Sequence, residues 1–255
     1  MNFFEKFSPA LLQNLLRNPD KVLTGEQAGK RYSVKIALPY YRQRLEQHYR
    51  DVLPQGLQAF CQQVEISFGL EHYGVIIDLG DTVEVHPHDN EAVLNENLRS
   101  MIAKFGAVII RNANIVSQLR EYGHRNRFPH LNFHVDRSVN QPTQYSMYAR
   151  NPFDEEQKYP RTSSTLFVPT IVGHLQSVKE GLVNPLTDKG LKATYTIFTK
   201  ENMNDVLGNI ILEHRWDMPE GVGEISMLDN RTSLHSSYYR DPNNKGYKIG
   251  VRYLA

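Results

Sequence analysis

Leu131-Asn132-Phe133-His134-Val135-Asp136 alternates without a break: positions 131, 133 and 135 are apolar, and 132, 134 and 136 are polar. Period-two alternation is the mark of a β-strand with one buried face, so the spacing predicts a strand carrying His134 and Asp136 on one side. An imidazole and a carboxylate side by side on a rigid strand are ligands of the kind that a 2-His-1-carboxylate facial triad offers to non-heme Fe(II). The pair by itself is weak, because random placement gives roughly half an H-x-D in a chain of this composition. A surface histidine beside an aspartate on a half-exposed strand is the competing reading. A third ligand from a distant strand has to separate the two.

Outward from this stretch the chain reads as short strands between turns. Strands are expected at 73–79, 106–111, 144–149, 163–168, 194–199, 224–228, 234–239 and 247–254, with helices at 91–104, 171–182 and 201–213. Leu94, Leu98, Ile102 and Phe105 share one face of the first of these helices. Many short strands with a few helices point to a mainly β fold, a sandwich or jelly roll braced by helices, and not to alternating βαβ units. A dinucleotide-binding reading also lacks its fingerprint, since no G-x-G-x-x-G occurs. The first seventy residues read as mainly helical, from the recurrence of Phe3, Phe4, Phe7, Leu11, Leu12 and Leu15 and of Tyr40, Tyr41, Leu45 and Tyr49.

Composition narrows the classes. The chain has 255 residues, 40% hydrophobic and 22% charged, with 29 Lys plus Arg against 28 Asp plus Glu and a formal charge of +1. That is enough apolar material for a core, and it creates no global field toward nucleic acid or anionic lipid. One cysteine, Cys61, excludes an intramolecular disulfide and a thiolate zinc site. The first twenty residues lack a basic stretch followed by a continuous apolar run, and no segment approaches a membrane span, so the expectation is a soluble, cytoplasmic protein. With no internal repeat or Ser/Gly linker, residues 1–255 are expected to form one domain, 1–70 packed on a core of 71–255. Ten histidines stand out in this balanced background, since histidine is the commonest metal ligand.

The third ligand is sought near the C-terminus. Leu228-Asp229-Asn230-Arg231-Thr232-Ser233-Leu234-His235 leads into an expected strand, 247–253 is another, and Asp241-Pro242-Asn243-Asn244-Lys245-Gly246 between them has the composition of a hairpin turn. A turn centred on Asn243 and Asn244 would set His235 opposite Arg252, and a one-residue slip would turn Arg252 to the other face. An arginine beside a metal suits a dicarboxylate that chelates the metal at one end and meets a guanidinium at the other.

His134 and Asp136, then His235 about a hundred residues later in Asp-Asn-Arg-Thr-Ser-Leu-His, then Arg252, resemble the Fe(II)/2-oxoglutarate-dependent dioxygenases, in particular the taurine dioxygenase-like branch. Upstream, LRSMIAKFGAVIIRN (98–112) resembles that branch's helix, glycine and strand ending in arginine. The likeness runs in order through residues 94–254. It implies a double-stranded β-helix (a jelly roll, cupin-like), with Fe(II) held by His134, Asp136 and His235. It further implies 2-oxoglutarate as co-substrate, its far carboxylate bound by Arg252 or by Arg240, and assistance from Thr165.

The reaction so implied consumes O2 and 2-oxoglutarate, releases succinate and CO2, and hydroxylates an unactivated C–H bond. Asp136 favours hydroxylation, because the related halogenases carry a small residue in its place. A small polar metabolite such as a free amino acid is the expected substrate, with no nucleic acid or membrane partner and the oligomeric state open. A hydroxylase of protein or RNA, and a β-helix protein that binds metal or a small ligand without catalysis, are the alternatives. His86 and His88 read as surface histidines, His124 and His130 as surface residues or contacts to the metal ligands or substrate, Arg137 and Arg231 as salt-bridge partners or anchors for an anionic substrate, and residues 151–161 as a surface loop or a lid.

Overall fold

Residues 31–38 alternate Arg, Ser and Lys with Tyr, Val and Ile, the pattern of a half-buried strand, and the chain follows it. The structure, a computed structural model, describes residues 9–27, 29–38, 72–85, 96–115, 131–134, 145–150, 163–169, 212–215, 224–230, 233–239 and 250–254. Helix α1 (Pro9–Arg17) is followed by β1 (Leu23–Gln27) and β2 (Lys30–Leu38), an antiparallel hairpin that reverses at Gly29 with φ +71°. At these two strands the chain departs from the expectation of a mainly helical 1–70. Between residues 23 and 38 the local alternation outweighs the helical spacing of the flanks, and Val34 and Ile36 are buried on one side of the strand. The expected helical stretch around Tyr40 to Tyr49 lies outside the described residues.

The remaining elements are β3 (Tyr73–Val85), α2 (Glu96–Phe105), β4 (Ala107–Ile115), β5 (Leu131–His134), β6 (Tyr145–Arg150), β7 (Ser163–Pro169), β8 (Leu212–Arg215), β9 (Glu224–Asp229), β10 (Ser233–Tyr239) and β11 (Gly250–Leu254). They complete two sheets: seven strands in the order β1-β2-β3-β4-β9-β6-β11, and four in the order β5-β10-β7-β8. Only β3 and β4 among the described pairs run parallel, as a connection through α2 allows, because parallel neighbours need a crossover and not a hairpin. The expected helix at 201–213 ends in strand, since Leu212 and Glu213 belong to β8. The expected elements at 171–182 and 194–199 lie outside the described residues.

One face of the seven-stranded sheet carries Val75, Ile77, Val108, Ile110, Met147, Ala149, Ile225 and Met227, and packs on Leu98, Met101, Ile102 and Phe105 of α2 and on Leu15 of α1. Each of these large side chains contributes about 1.5–3 kcal/mol when fully buried. The opposite face carries Ile109, Ser226 and Tyr148 in one row and meets the four-stranded sheet through side-chain contacts given below.

Strands β10 and β11 do not form the expected hairpin. Strand β10 lies between β5 and β7, and β11 pairs with β6 at the edge of the other sheet. His235 therefore stands opposite His134 on one side and Phe167 on the other, and Arg252 stands opposite Met147. A turn-forming composition between two strands is equally compatible with a connection that changes sheets; the partner of a strand is a non-local property that its own period does not contain.

The corner that joins α2, β4, β9 and β10 is built on Gly106. Its N–H donates to the Ile102 carbonyl at 2.7 Å and its φ is +79°, a helix C-terminus in the left-handed region. Its own carbonyl accepts from the Asp229 N–H at 3.1 Å and from Ser233 Oγ at 2.8 Å, and the buried Tyr73 hydroxyl meets Ser233 Oγ at 3.1 Å. A Cβ on residue 106 would fall 2.6 Å from Tyr73 Cε2 and 2.9 Å from Ser233 Oγ.

Gly106→Ala is therefore expected to lower the unfolding free energy by roughly 2 kcal/mol or more, read from urea unfolding; an unchanged midpoint would refute the corner. Burial holds the Tyr73 phenol above its usual value of 10.0, with the hydrogen bond to Ser233 opposing. A raised folded-state value means stability is fully present below pH 10 and is lost as pH rises past it, when the unfolded chain ionises first. Replacing Tyr73 by Phe should flatten that alkaline loss in a pH series of unfolding measurements.

Candidate metal and co-substrate site

His235 sits in the middle of β10, 1% exposed, so its imidazole is fixed by strands on both sides. Its Nε2 is 2.8 Å from the hydroxyl of Tyr148, with ring centroids 5.2 Å apart and planes inclined by 49°. Tyr148 belongs to β6 of the other sheet, so this contact joins the inner faces of the two sheets. When the tyrosine donates, Nε2 carries the lone pair and Nδ1 the proton. That lone pair is the one a metal ion takes.

His134 occupies the β5 position directly opposite His235. Opposed positions in an antiparallel pair lie on one face with Cβ atoms about 4.5–5.5 Å apart, so two imidazole-bearing positions share the inner face of the small sheet. Two imidazole-bearing positions of this kind suit iron, zinc and other borderline metals. Asp136 lies outside the described residues, and among the described residues no group of three or more His, Cys, Asp or Glu gathers as a metal site.

Thr165, 3% exposed, lies on β7 opposite Ser237, two positions from Phe167, which faces His235. It is thus on the same face as His235. Arg252 lies in β11, at the register position opposite Met147 of β6. Arg240 lies outside the described residues. In register, His134 and Thr165 stand on the two strands that flank β10, and Arg252 stands on β11 of the other sheet.

The inner layer also holds a buried pair that sequence reasoning missed. His214 on β8 stands opposite Thr165, and its Nε2 lies 3.3 Å from Oε1 of Glu224 on β9. Both side chains are buried, at 0% and 1%. His214 falls at the end of a segment read as helix, in a strand of four residues that is too short for alternation to register. Glu224 opens a strand, and a carboxylate at a strand end reads as a solvated boundary.

The approach to His235 is fixed by a second contact. Asn230 donates from Nδ2 to Ser146 Oγ at 2.9 Å, both groups being buried, which ties the turn between β9 and β10 to β6. Charge-neutral hydrogen bonds of this kind contribute about 1 kcal/mol each, but leaving one partner unsatisfied costs more.

No protein-family model matches the chain, and no curated protein matches it in sequence. Among solved structures the chain is similar to AAD-2, determined with Mn(II) and N-oxalylglycine, at 12% identity and a TM-score of 0.44, covering 73% of this chain and 94% of that one. It is also similar to PvcB from Pseudomonas aeruginosa, at 11% identity and a TM-score of 0.43, covering 71% and 86%. PvcB is described as an Fe, α-ketoglutarate-dependent oxygenase from an isonitrile synthetic pathway. A taurine dioxygenase from Burkholderia xenovorans matches at 10% identity and a TM-score of 0.40, covering 72% and 88%.

Breaking the buried His214–Glu224 pair should be costly. Glu224→Leu is expected to lower stability by about 2–3 kcal/mol, because it leaves His214 buried opposite an apolar group, and Glu224→Gln should cost less than half as much. Equal effects in urea unfolding would mean that the pair has no specific role.

Proposed function

We propose that this chain is a non-heme Fe(II)- and 2-oxoglutarate-dependent oxygenase whose two sheets form a double-stranded β-helix around the site. The observation that carries the reading is the register of β10: buried His235 directly opposite His134, with Thr165 on the same inner face. His134, Asp136 and His235 are the residues that would hold the metal. Bound there, ferrous iron supplies the redox chemistry that couples decarboxylation of 2-oxoglutarate, to succinate and CO2, with hydroxylation of a substrate C–H bond.

The chain's own residues do the rest by position. With its hydroxyl donating to Nε2, Tyr148 would hold the His235 imidazole in the tautomer and tilt that leave a lone pair toward the inner layer. A metal ion bound at Nε2 would take the place of that hydrogen bond. Thr165 offers a buried hydroxyl on the same face for a co-substrate carboxylate. Burial between the sheets excludes water, which strengthens each polar contact made there. A small polar metabolite such as a free amino acid remains the proposed substrate, supported by the near-zero net charge, which offers no extended field for a polymer.

Anaerobic addition of Fe(II) and then 2-oxoglutarate should produce the weak visible metal-to-ligand charge-transfer band. Asp136→Ala and His235→Ala should abolish it, and aerobic turnover with a panel of amino acids should release succinate. A band that survives both substitutions unchanged would refute the ligand assignment. Succinate release stimulated only by protein or RNA would overturn the small-substrate reading.

A further inference from the structure

The hydroxyl of Tyr148 lies close to where an ion bound by His235 has to lie. Its oxygen is 2.8 Å from Nε2, whereas a metal–imidazole bond is about 2.0–2.1 Å long and runs along the same lone pair. An ion at Nε2 therefore falls well inside the contact distance of that oxygen. The oxygen must then leave the layer or bind the ion.

Leaving is closed to it. Tyr148 sits inside β6, between β9 and β11, and is 5% exposed; His235 is 1% exposed. The phenol ring lies 5.2 Å from the imidazole between centroids, and buried Phe167 stands opposite His235 on β7. Binding needs far less movement. Two donors at right angles on one ion, each about 2.0–2.2 Å from it, are about 2.8–3.1 Å apart. The hydroxyl reaches such a position by a sideways swing of roughly 2 Å, which hardly changes its distance from Nε2. Ser226, directly beside Tyr148 on β9, is small, so no large side chain walls the ring on that side.

We infer that Tyr148 is itself a ligand of the metal, a fourth protein donor beside His134, Asp136 and His235. That an ion binds at Nε2 rests on the metal-site reading proposed above; the placement of the hydroxyl does not. As the oxygen binds, one O–metal bond forms, the hydrogen bond to Nε2 is lost and the phenol proton is released to solvent. Nothing is oxidised or reduced. Iron accepts a tyrosine oxygen readily, as tyrosine-ligated haem proteins show.

Four protein ligands leave an octahedral ion two open positions, and a chelating keto acid with O2 needs three. Under the oxygenase reading Tyr148 therefore gives up the ion when 2-oxoglutarate enters. The metal stays closed to O2 until the co-substrate is bound.

The test uses the full chain, loaded with Fe(II) without oxygen and oxidised in place to Fe(III) by ferricyanide. A phenolate-to-iron charge-transfer band should appear in the visible, be absent in Tyr148→Phe, and vanish when 2-oxoglutarate is added. In calorimetry Tyr148→Phe should weaken Mn(II) binding about 10-fold. A hydroxyl that only competes with the ion for Nε2 predicts the opposite sign, tighter Mn(II) binding in the variant. Should Tyr148→Phe fail to fold, 3-fluorotyrosine placed at position 148 alone keeps the ring and the hydroxyl, and should move the band to shorter wavelength.

Iron-loaded protein without the band, a band unchanged in Tyr148→Phe or by the fluorine, or tighter Mn(II) binding in Tyr148→Phe overturns the tyrosine ligand while the oxygenase reading stands. A band that depends on Tyr148 and persists at saturating 2-oxoglutarate keeps the ligand and overturns the oxygenase reading. A chain that binds neither iron nor manganese overturns both.

Discussion

The carbonyl of Gly106 is the constraint on which the rest of the structure depends. It accepts from the backbone of Asp229, where β9 ends, and from Ser233, where β10 begins. The chain passes from one sheet to the other between those residues. Helix α2 ends on the same glycine, and Tyr73 of β3 braces it through Ser233. One carbonyl thereby fixes the end of β9 in the large sheet and the start of β10 in the small one. Two positions beyond Ser233, the His235 imidazole then lies 2.8 Å from the Tyr148 hydroxyl.

The two faces of the large sheet are used for different purposes. The face toward α1 and α2 is apolar, and its burial supplies stability without specificity of contact. The face toward the small sheet mixes Ile109 and Leu228 with Tyr148, Ser226 and Glu224. Polar groups buried there lower stability unless they are satisfied, and cross-sheet contacts satisfy several: Tyr148 with His235, His214 with Glu224. A chain selected for stability alone would fill such a layer with hydrocarbon. His214, His235 and Thr165, buried between the sheets, are polar groups of the kind that the proposed site would use.

The sequence was most legible where one face of a strand is buried. A strand at Leu131–His134, the apolar face of the helix before Gly106 and the strand into His235 appear at the expected places, because burial writes its period into local sequence. Strand partners are not written in that way. The turn composition at Asp241 to Gly246 suggested His235 beside Arg252, whereas β10 takes β5 and β7 as neighbours and β11 takes β6. The hairpin at Leu23 to Leu38 was readable in its alternation and masked by aromatic spacing on both sides. His214 and Glu224 were illegible for a different reason: each is unremarkable in its own segment, and their pairing arises only when two sheets stack.

The central claim is that the face shared by His134 and His235 holds a metal ion together with Asp136. A crystal of the protein grown with Mn(II) and without oxygen, with anomalous scattering recorded for manganese, tests it directly. The account predicts one strong anomalous peak about 2.0–2.3 Å from an imidazole nitrogen of His134, Nε2 of His235 and a carboxylate oxygen of Asp136, with the Tyr148 hydroxyl moved off Nε2. A peak held by other residues, or a Tyr148–His235 bond that persists in crystals saturated with Mn(II), would contradict it.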